Sequence, residues 1–143
     1  MLTNPSRGNL IVYADGSIST QRAGVGIAVC SAEGHILHVG NQSLPHMTSN
    51  EAEYAALYFA LQEAQRWQPL QLEIRMDNEV VVNQMAGHFA VNSPRLKRMH
   101  QHACKLARQF AQIRYCQIPR DLNAIADALA SEASAGRKWK MVR

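Results

Sequence analysis

Apolar and polar positions alternate with a period of two over three early stretches, then shift to a period of three to four. Asn9-Leu10-Ile11-Val12-Tyr13-Ala14 is a β-branched and aromatic run that meets Asp15-Gly16-Ser17, so it predicts a strand running into a turn. Ala23 to Cys30 predicts a second strand, and Ala32-Glu33-Gly34 turns it tightly into a third over His35 to Gly40. Links this short favour an antiparallel meander. After Leu44 the helical period takes over. Thr48-Ser49-Asn50 opens a helix whose apolar stripe is Tyr54, Ala55, Tyr58, Leu61 and Ala64, with a capping box expected from Ser49 to Ala52 only by a slip of register. Pro69 ends that region, and Gln71 to Met76 is a fourth strand stopping at Asp77-Asn78. A short helix over Glu79 to Ala86 breaks at Gly87, and Ser93-Pro94 starts a longer one with proline at its first position. That longer helix has the stripe Leu96, Met99, Ala103, Leu106, Ala107 and Phe110, with Arg98, His102, Lys105 and Gln109 opposite. Ile113 to Ile118 is a fifth strand, and Asn123 to Ala135 a last helix. The order defines an α/β fold: a five-stranded mixed sheet, three antiparallel strands then two parallel, with helices on both faces.

At 143 residues and 47% apolar, the chain has the material of a single domain with a real core, which excludes a disordered or fibrous protein. Residues 9–135 are expected to form that core, followed by a basic tail over 136–143. No stretch reaches the length of apolar residues that a membrane helix needs, and Met1 to Gly8 lacks a signal-peptide-like apolar run, so the expected compartment is the cytoplasm. Cys30, Cys104 and Cys116 match neither a disulfide framework nor zinc spacing and read as buried free thiols. His100 and His102, two apart on a helix, do not share a face and are rejected as a metal pair. The charge is uneven. Up to Pro94 four arginines stand against eight acids, whereas from Arg95 onward eleven lysines and arginines stand against Asp121, Asp127 and Glu132. That asymmetry points to a polyanionic partner.

Four acids fall at the ends of predicted elements. Asp15 ends the first strand, Glu51 lies in the first turn of the first helix, Asp77 ends the fourth strand, and Asp127 sits in the last helix among Ala124, Ile125, Ala126, Ala128 and Leu129. Singly, three have ordinary explanations: turn chemistry for Asp15, helix-dipole charge for Glu51, a cap for Asp77-Asn78. Together they are expected at one edge of a sheet, outside the carboxyl ends of its strands. Clustered carboxylates stay ionised at neutral pH only beside positive charge, and a divalent cation is the natural resident.

The segments Tyr13-Ala14-Asp15-Gly16-Ser17, Thr48-Ser49-Asn50-Glu51-Ala52-Glu53-Tyr54-Ala55-Ala56-Leu57, Met76-Asp77-Asn78 and Asn123-Ala124-Ile125-Ala126-Asp127-Ala128-Leu129-Ala130 resemble, in order, the four signature segments of type 1 ribonuclease H. The resemblance runs from about Asn9 to Ala135. Proofreading-type exonucleases differ in carrying Asp-x-Glu on the first strand, where Ser17 stands here. Integrases and transposases differ in placing their glutamate on a late helix.

This resemblance implies a ribonuclease H-like fold and hydrolysis of the RNA strand of RNA/DNA hybrids, leaving 5′-phosphate and 3′-hydroxyl ends. It also implies two Mg²⁺ or Mn²⁺ ions at Asp15, Glu51, Asp77 and Asp127, with Asp15 bridging both and Glu51 approaching the substrate ribose. Glu51, Asn50 and the backbone around Gly16 and Ser17 are the implied readers of the 2′-hydroxyl, and Gly16 is expected to let the nucleic acid approach closely. Arg120 and Asn123 complete the implied substrate contacts, with Asn78 and Gln84 weaker candidates. No obligate protein partner is implied, and a monomer is expected. Three features depart from better-known members. Only Gly87 to Ser93 stands where many carry an inserted basic helix, the stretch before Asn123 has Arg120 and no histidine, and no N-terminal hybrid-binding domain fits the length. Grip on the hybrid is then expected from Arg137, Lys138, Lys140 and Arg143, with Trp139 beside them. The rival reading is a nucleic-acid-binding domain that kept the fold and lost turnover, which the presence of all four acids opposes.

Overall fold

A computed structural model describes residues 8–136. The basic residues Arg137, Lys138, Lys140 and Arg143 expected to grip a substrate lie outside the described residues. The elements follow the expected order: β1 Asn9–Ile18, β2 Arg22–Ser31, β3 Ile36–Pro45, α1 Ser49–Gln65, β4 Gln71–Met76, α2 Glu79–Met85, α3 Pro94–Ala107, β5 Gln112–Gln117 and α4 Ala124–Ser134, the last preceded by a 3-10 turn over Arg120–Asn123. One sheet contains all five strands in the order β3-β2-β1-β4-β5. β1 pairs antiparallel with β2 and β2 with β3, while β4 lies parallel to both β1 and β5. Among the described residues no helix is long and apolar enough to cross a membrane.

Two strands run further than composition suggests. The expected turn at Asp15-Gly16-Ser17 is absent: β1 continues to Ile18, pairing Asp15 with Gly26 and Ser17 with Gly24. β3 continues to Pro45, an edge position where proline's missing N–H costs the ladder nothing.

Helices cover both faces. Leu10, Val12 and Ala14 of β1, Val25, Ile27 and Val29 of β2 and Leu72, Ile74 and Met76 of β4 form the core with Tyr54, Leu57 and Leu61 of α1, Val81 of α2 and Ala103 of α3. Each of the larger aliphatic side chains contributes roughly 1.5–3 kcal/mol by leaving water. α3 starts as its sequence dictates, with the Ser93 hydroxyl accepting from the Leu96 N–H and Pro94 where no N–H is needed. On the opposite face α4 lies directly against β2. A Cβ at Gly24 would come within 2.3 Å of the Ala130 carbonyl oxygen, and one at Gly26 within 2.4 Å of that of Ala126. Glycine in a strand here marks the close approach of another backbone, and the buried stripe Ala126, Ala130 and Ala133 completes the fit. This seating fixes where Asp127 points.

Candidate active site

The parallel register of β1 and β4 builds the first half of the site. Tyr13 is paired with Arg75, so two residues further on Asp15 stands level with Asp77. β4 has ended there, which opens a cleft beside Asp15. An open cavity of about 310 Å³ lies at that point, lined among others by Asp15, Gly16, Ser17, Glu53, Asp77, Asn78, Arg120 and Asp127. A larger one of about 430 Å³ at the far end of the same strands is lined by Glu73, Arg75 and Arg114, where the Glu73 carboxylate is already paired with both arginines.

The third acid comes from α1, and it is Glu53. Carboxylate oxygens of Asp15, Glu53 and Asp77 all lie within 4.8 Å of one another. The cause is the packing of α1 on β1 at Gly16, where a Cβ would sit 2.4 Å from the Ala52 carbonyl oxygen and 2.7 Å from the Glu53 nitrogen. With no side chain in the way, the Gly16 N–H donates to Glu53 Oε1 at 2.6 Å. Gly16 therefore makes room for the helix on its Cβ side, and it also lines the open cleft.

Glu51, the glutamate expected in the cluster, is elsewhere. Thr48 is the N-cap of α1, its side chain accepting from the Glu51 N–H, and Glu51 Oε1 accepts from the Thr48 N–H at 2.9 Å. This is a capping box one residue earlier than expected. The same carboxylate pairs with Arg95 at the start of α3. Its pKa is lowered, first by the Thr48 N–H and then by Arg95. Residues two apart on a helix point some 200° apart, so an acid that serves the cap cannot also reach the strand ends. Glu53 was missed although a signal existed: it shares the sheet-facing stripe with Ala56, Ala60 and Ala64, all buried.

The remaining candidates divide. Asp127 faces the cleft from α4, close enough to interact with Asp15. Arg120, largely exposed, reaches to 3.8 Å from the Asp127 carboxylate. Ser17 lines the cleft and exchanges a hydrogen bond with Ser134 at 3.1 Å. Asn78 caps α2 by accepting from the Val81 N–H, and its amide donates to Asn50 Oδ1 at 3.3 Å, so these two form a pair at the cleft's edge. Asn123 is corrected: it is 1% exposed and donates to the Ala14 carbonyl oxygen at 3.0 Å, a tie inside the protein that leaves no surface for a substrate. Gln84 is likewise buried, accepting from the Tyr54 hydroxyl at 2.6 Å.

Electrostatics give the cluster its chemical meaning. Asp15 and Glu53 are 6% and 4% exposed. Burial, with the nearby Glu53 and Asp77 carboxylates adding to it, drives the Asp15 pKa far above the carboxylate range, and burial raises Glu53 to about 7 despite the Gly16 N–H. Among the described residues no donor reaches the buried Glu53 Oε2. A site of hard oxygen donors that repel one another, one of them unsatisfied, fits Mg²⁺ or Mn²⁺, which take oxygen ligands and keep positions open for water and phosphate.

Comparison with known proteins identifies the family. The family described as "Reverse transcriptase-like" matches residues 13–133. Ribonuclease HI of Halobacterium salinarum is 34% identical over 135 residues, covering 92% of this chain and 68% of that protein. The crystal structure of RNase H1 from that archaeon superposes with a TM-score of 0.86, over 90% of this chain and 99% of the other. LC11-RNase H1, solved in complex with an RNA/DNA hybrid, is 31% identical with a TM-score of 0.84, over 89% of this chain and 97% of that one. The bifunctional protein Rv2228c of Mycobacterium tuberculosis is 34% identical over 127 residues, and this chain spans 35% of its length. The chain belongs to the type 1 ribonuclease H family.

Proposed function

We propose that this protein is a metal-dependent endoribonuclease that hydrolyses the RNA strand of RNA/DNA hybrids, leaving 5′-phosphate and 3′-hydroxyl ends. The observation that carries the reading is the convergence of Asp15, Glu53 and Asp77 within 4.8 Å, in a fold whose relatives are ribonucleases H and include one bound to a hybrid. Asp15, Glu53, Asp77 and Asp127 are the residues that would hold two Mg²⁺ or Mn²⁺ ions. Bound there, such ions supply Lewis acidity to activate the attacking water and to stabilise the leaving 3′-oxygen.

The chain's own residues prepare that chemistry. The Gly16 N–H holds Glu53 in one orientation, and Asn123 ties the start of α4 to the strand that carries Asp15, so the carboxylates need little reorganisation when a substrate arrives. Asn50 and Asn78 offer amide groups at the edge of the cleft for the sugar-phosphate backbone, and their mutual bond presets both side chains. Selection for RNA rests on hydrogen bonding to the 2′-hydroxyl by these amides and by the backbone beside Ser17. Arg120, exposed and only loosely paired with Asp127, is available to a phosphate or to the departing product.

The test is digestion of an RNA/DNA hybrid carrying separate labels on its two strands, beside duplex DNA of the same sequence, with Mg²⁺ or with EDTA. Cleavage of the RNA label alone, and only with metal, supports the proposal. Tight hybrid binding with no cleavage under any divalent cation would replace it with a binding domain.

A further inference from the structure

Among the described residues, five of the ten lysines and arginines are matched by an acid. Arg66 pairs with Glu63, Arg75 and Arg114 share Glu73, Arg95 pairs with Glu51, and Arg120 meets Asp127. Of the other five, Arg22 donates to the Ser43 hydroxyl and four lie on or just after helix α3. Lys97, Arg98, Lys105 and the following Arg108 are all exposed, and among the described residues none of them pairs with a carboxylate. The sequence offers none nearby, for no acid occurs between Glu79 and Asp121.

Helix electrostatics explain half of this set. Lys105 and Arg108 stand at the C-terminal end of α3, where the helix dipole favours positive charge. Lys97 and Arg98 stand near its N-terminus, where the dipole opposes it, and no acid in the first turn offsets them. Arg95 has its reason in Glu51. For Lys97 and Arg98 no acid among the described residues compensates.

Their location says what does. The Arg95–Glu51 pair docks the first turn of α3 against the first turn of α1, one residue from Asn50, which in turn meets Asn78 beside Asp77. α3 then follows α1, with the Tyr58 hydroxyl donating to the Met99 carbonyl oxygen at 2.8 Å. A helix of 14 residues is about 21 Å long, enough to pass several phosphates of one strand. Around α3 the four unpaired cations span about 100°, with Arg98 the nearest of them to Arg95, about 60° away, and Lys97 the farthest.

We propose that the exposed face of α3, through Lys97 and Arg98 with Lys105 beyond them, is a phosphate-tracking surface. It grips the nucleic-acid backbone outside the cleft and does the work of the basic helix that the short Gly87 to Ser93 connection leaves no room for. The proposal rests on the hybrid as substrate and adds where the duplex extends once it leaves the carboxylates. An acidic protein partner fits less well, since α3 is docked through Arg95 and Glu51 next to Asn50, whose partner Asn78 lines the cleft proposed to hold the hybrid.

The test compares two double variants of equal net charge, Lys97→Gln/Arg98→Gln and Arg22→Gln/Arg66→Gln, after circular dichroism shows that both are folded. Binding of a fluorescein-labelled RNA/DNA hybrid is followed by anisotropy in Ca²⁺ over a series of salt concentrations. The α3 variant is expected to bind more weakly and to lose about 0.9 from the slope of log affinity against log salt for each phosphate contact removed, the value for a B-form duplex. Its loss in cleavage should fall on KM rather than kcat. The control variant is expected to keep the wild-type slope. An unchanged slope in the α3 variant, or equal losses in both variants, overturns the proposal. If the wild-type protein binds hybrid but cuts none, the reading of the cleft fails while the slopes still decide the role of α3.

Discussion

The Gly16 N–H donates to Glu53 Oε1 at 2.6 Å, across a gap that the Cβ of any other residue would fill. One missing side chain thus sets both the seating of α1 on β1 and the aim of a buried carboxylate. Gly16→Ala would push backbone against backbone, since the added carbon meets the Ala52 carbonyl oxygen at 2.4 Å. The expected cost is about 1–3 kcal/mol, the range for overpacking, together with a loss of hybrid cleavage larger than the loss of fold explains. Thermal melts and initial rates at a temperature well below the midpoint check both parts.

Glu51→Ala should act on stability. It removes the acceptor of the Thr48 N–H and the partner of Arg95. Losing a helix cap costs about 1 kcal/mol, while the Arg95 pair, with an exposed guanidinium, adds little beyond it. Urea denaturation should give a lower midpoint with an unchanged m-value.

Most of the fold was legible in the sequence because its signals are local and consistent. β-branched runs bounded by Gly, Pro and Asp marked the strands, and Ser93-Pro94 marked the start of α3. What composition concealed was contact between backbones. Asp15-Gly16-Ser17 has the chemistry of a turn, yet it is strand because α1 and α4 need Gly16, Gly24 and Gly26 as their seats. The meeting of Asp15, Asp77 and Asp127 at one cleft was legible, since their placement follows from strand ends and a small-residue helix. Legibility failed at α1, where Glu51 and Glu53 both sit in the signature segment. Reading Thr48-Ser49-Asn50-Glu51 as a capping box would have committed Glu51 to the helix end and left Glu53 on the sheet-facing stripe. Asn123 failed for another reason: nothing local tells an asparagine at a helix start whether it faces water or a strand.

The acid cluster should make the metal-free protein sensitive to pH. Burial raises the pKa of both Asp15 and Glu53 above their ordinary values of 3.8 and 4.5. As pH rises above about 4 the unfolded chain releases these protons while the folded one retains them, so the unfolded state binds fewer and stability falls. The fall continues through neutrality until the folded groups also ionise. Thermal midpoints in EDTA should therefore decline between pH 5 and about 7, and Mg²⁺ should flatten the decline by favouring the ionised forms. Asp15→Asn should weaken the pH dependence and leave the midpoint in EDTA unchanged or higher.

Asn123→Ala should destabilise the protein and damage the site together. The Ala14 carbonyl would lose its donor in a buried place, at a cost of about 1–3 kcal/mol. The same tie joins β1, which carries Asp15, to the turn that leads into α4 and Asp127. A lower urea midpoint accompanied by weaker Mg²⁺ binding in calorimetry is the expected result; Asn123→Asp, which cannot donate when ionised, should behave in the same way.

The central claim is that Glu53, and not Glu51, completes the carboxylate set with Asp15, Asp77 and Asp127. Its most direct measurement is kcat for Mg²⁺-dependent cleavage of the RNA strand of a hybrid by Glu53→Gln and Glu51→Gln, at saturating substrate and metal. Glu53→Gln should lower kcat by more than about 100-fold, beyond the loss expected from an outer-shell partner of a metal site, while Glu51→Gln stays close to wild type. The reverse order, or equal losses in the two variants, would contradict the account.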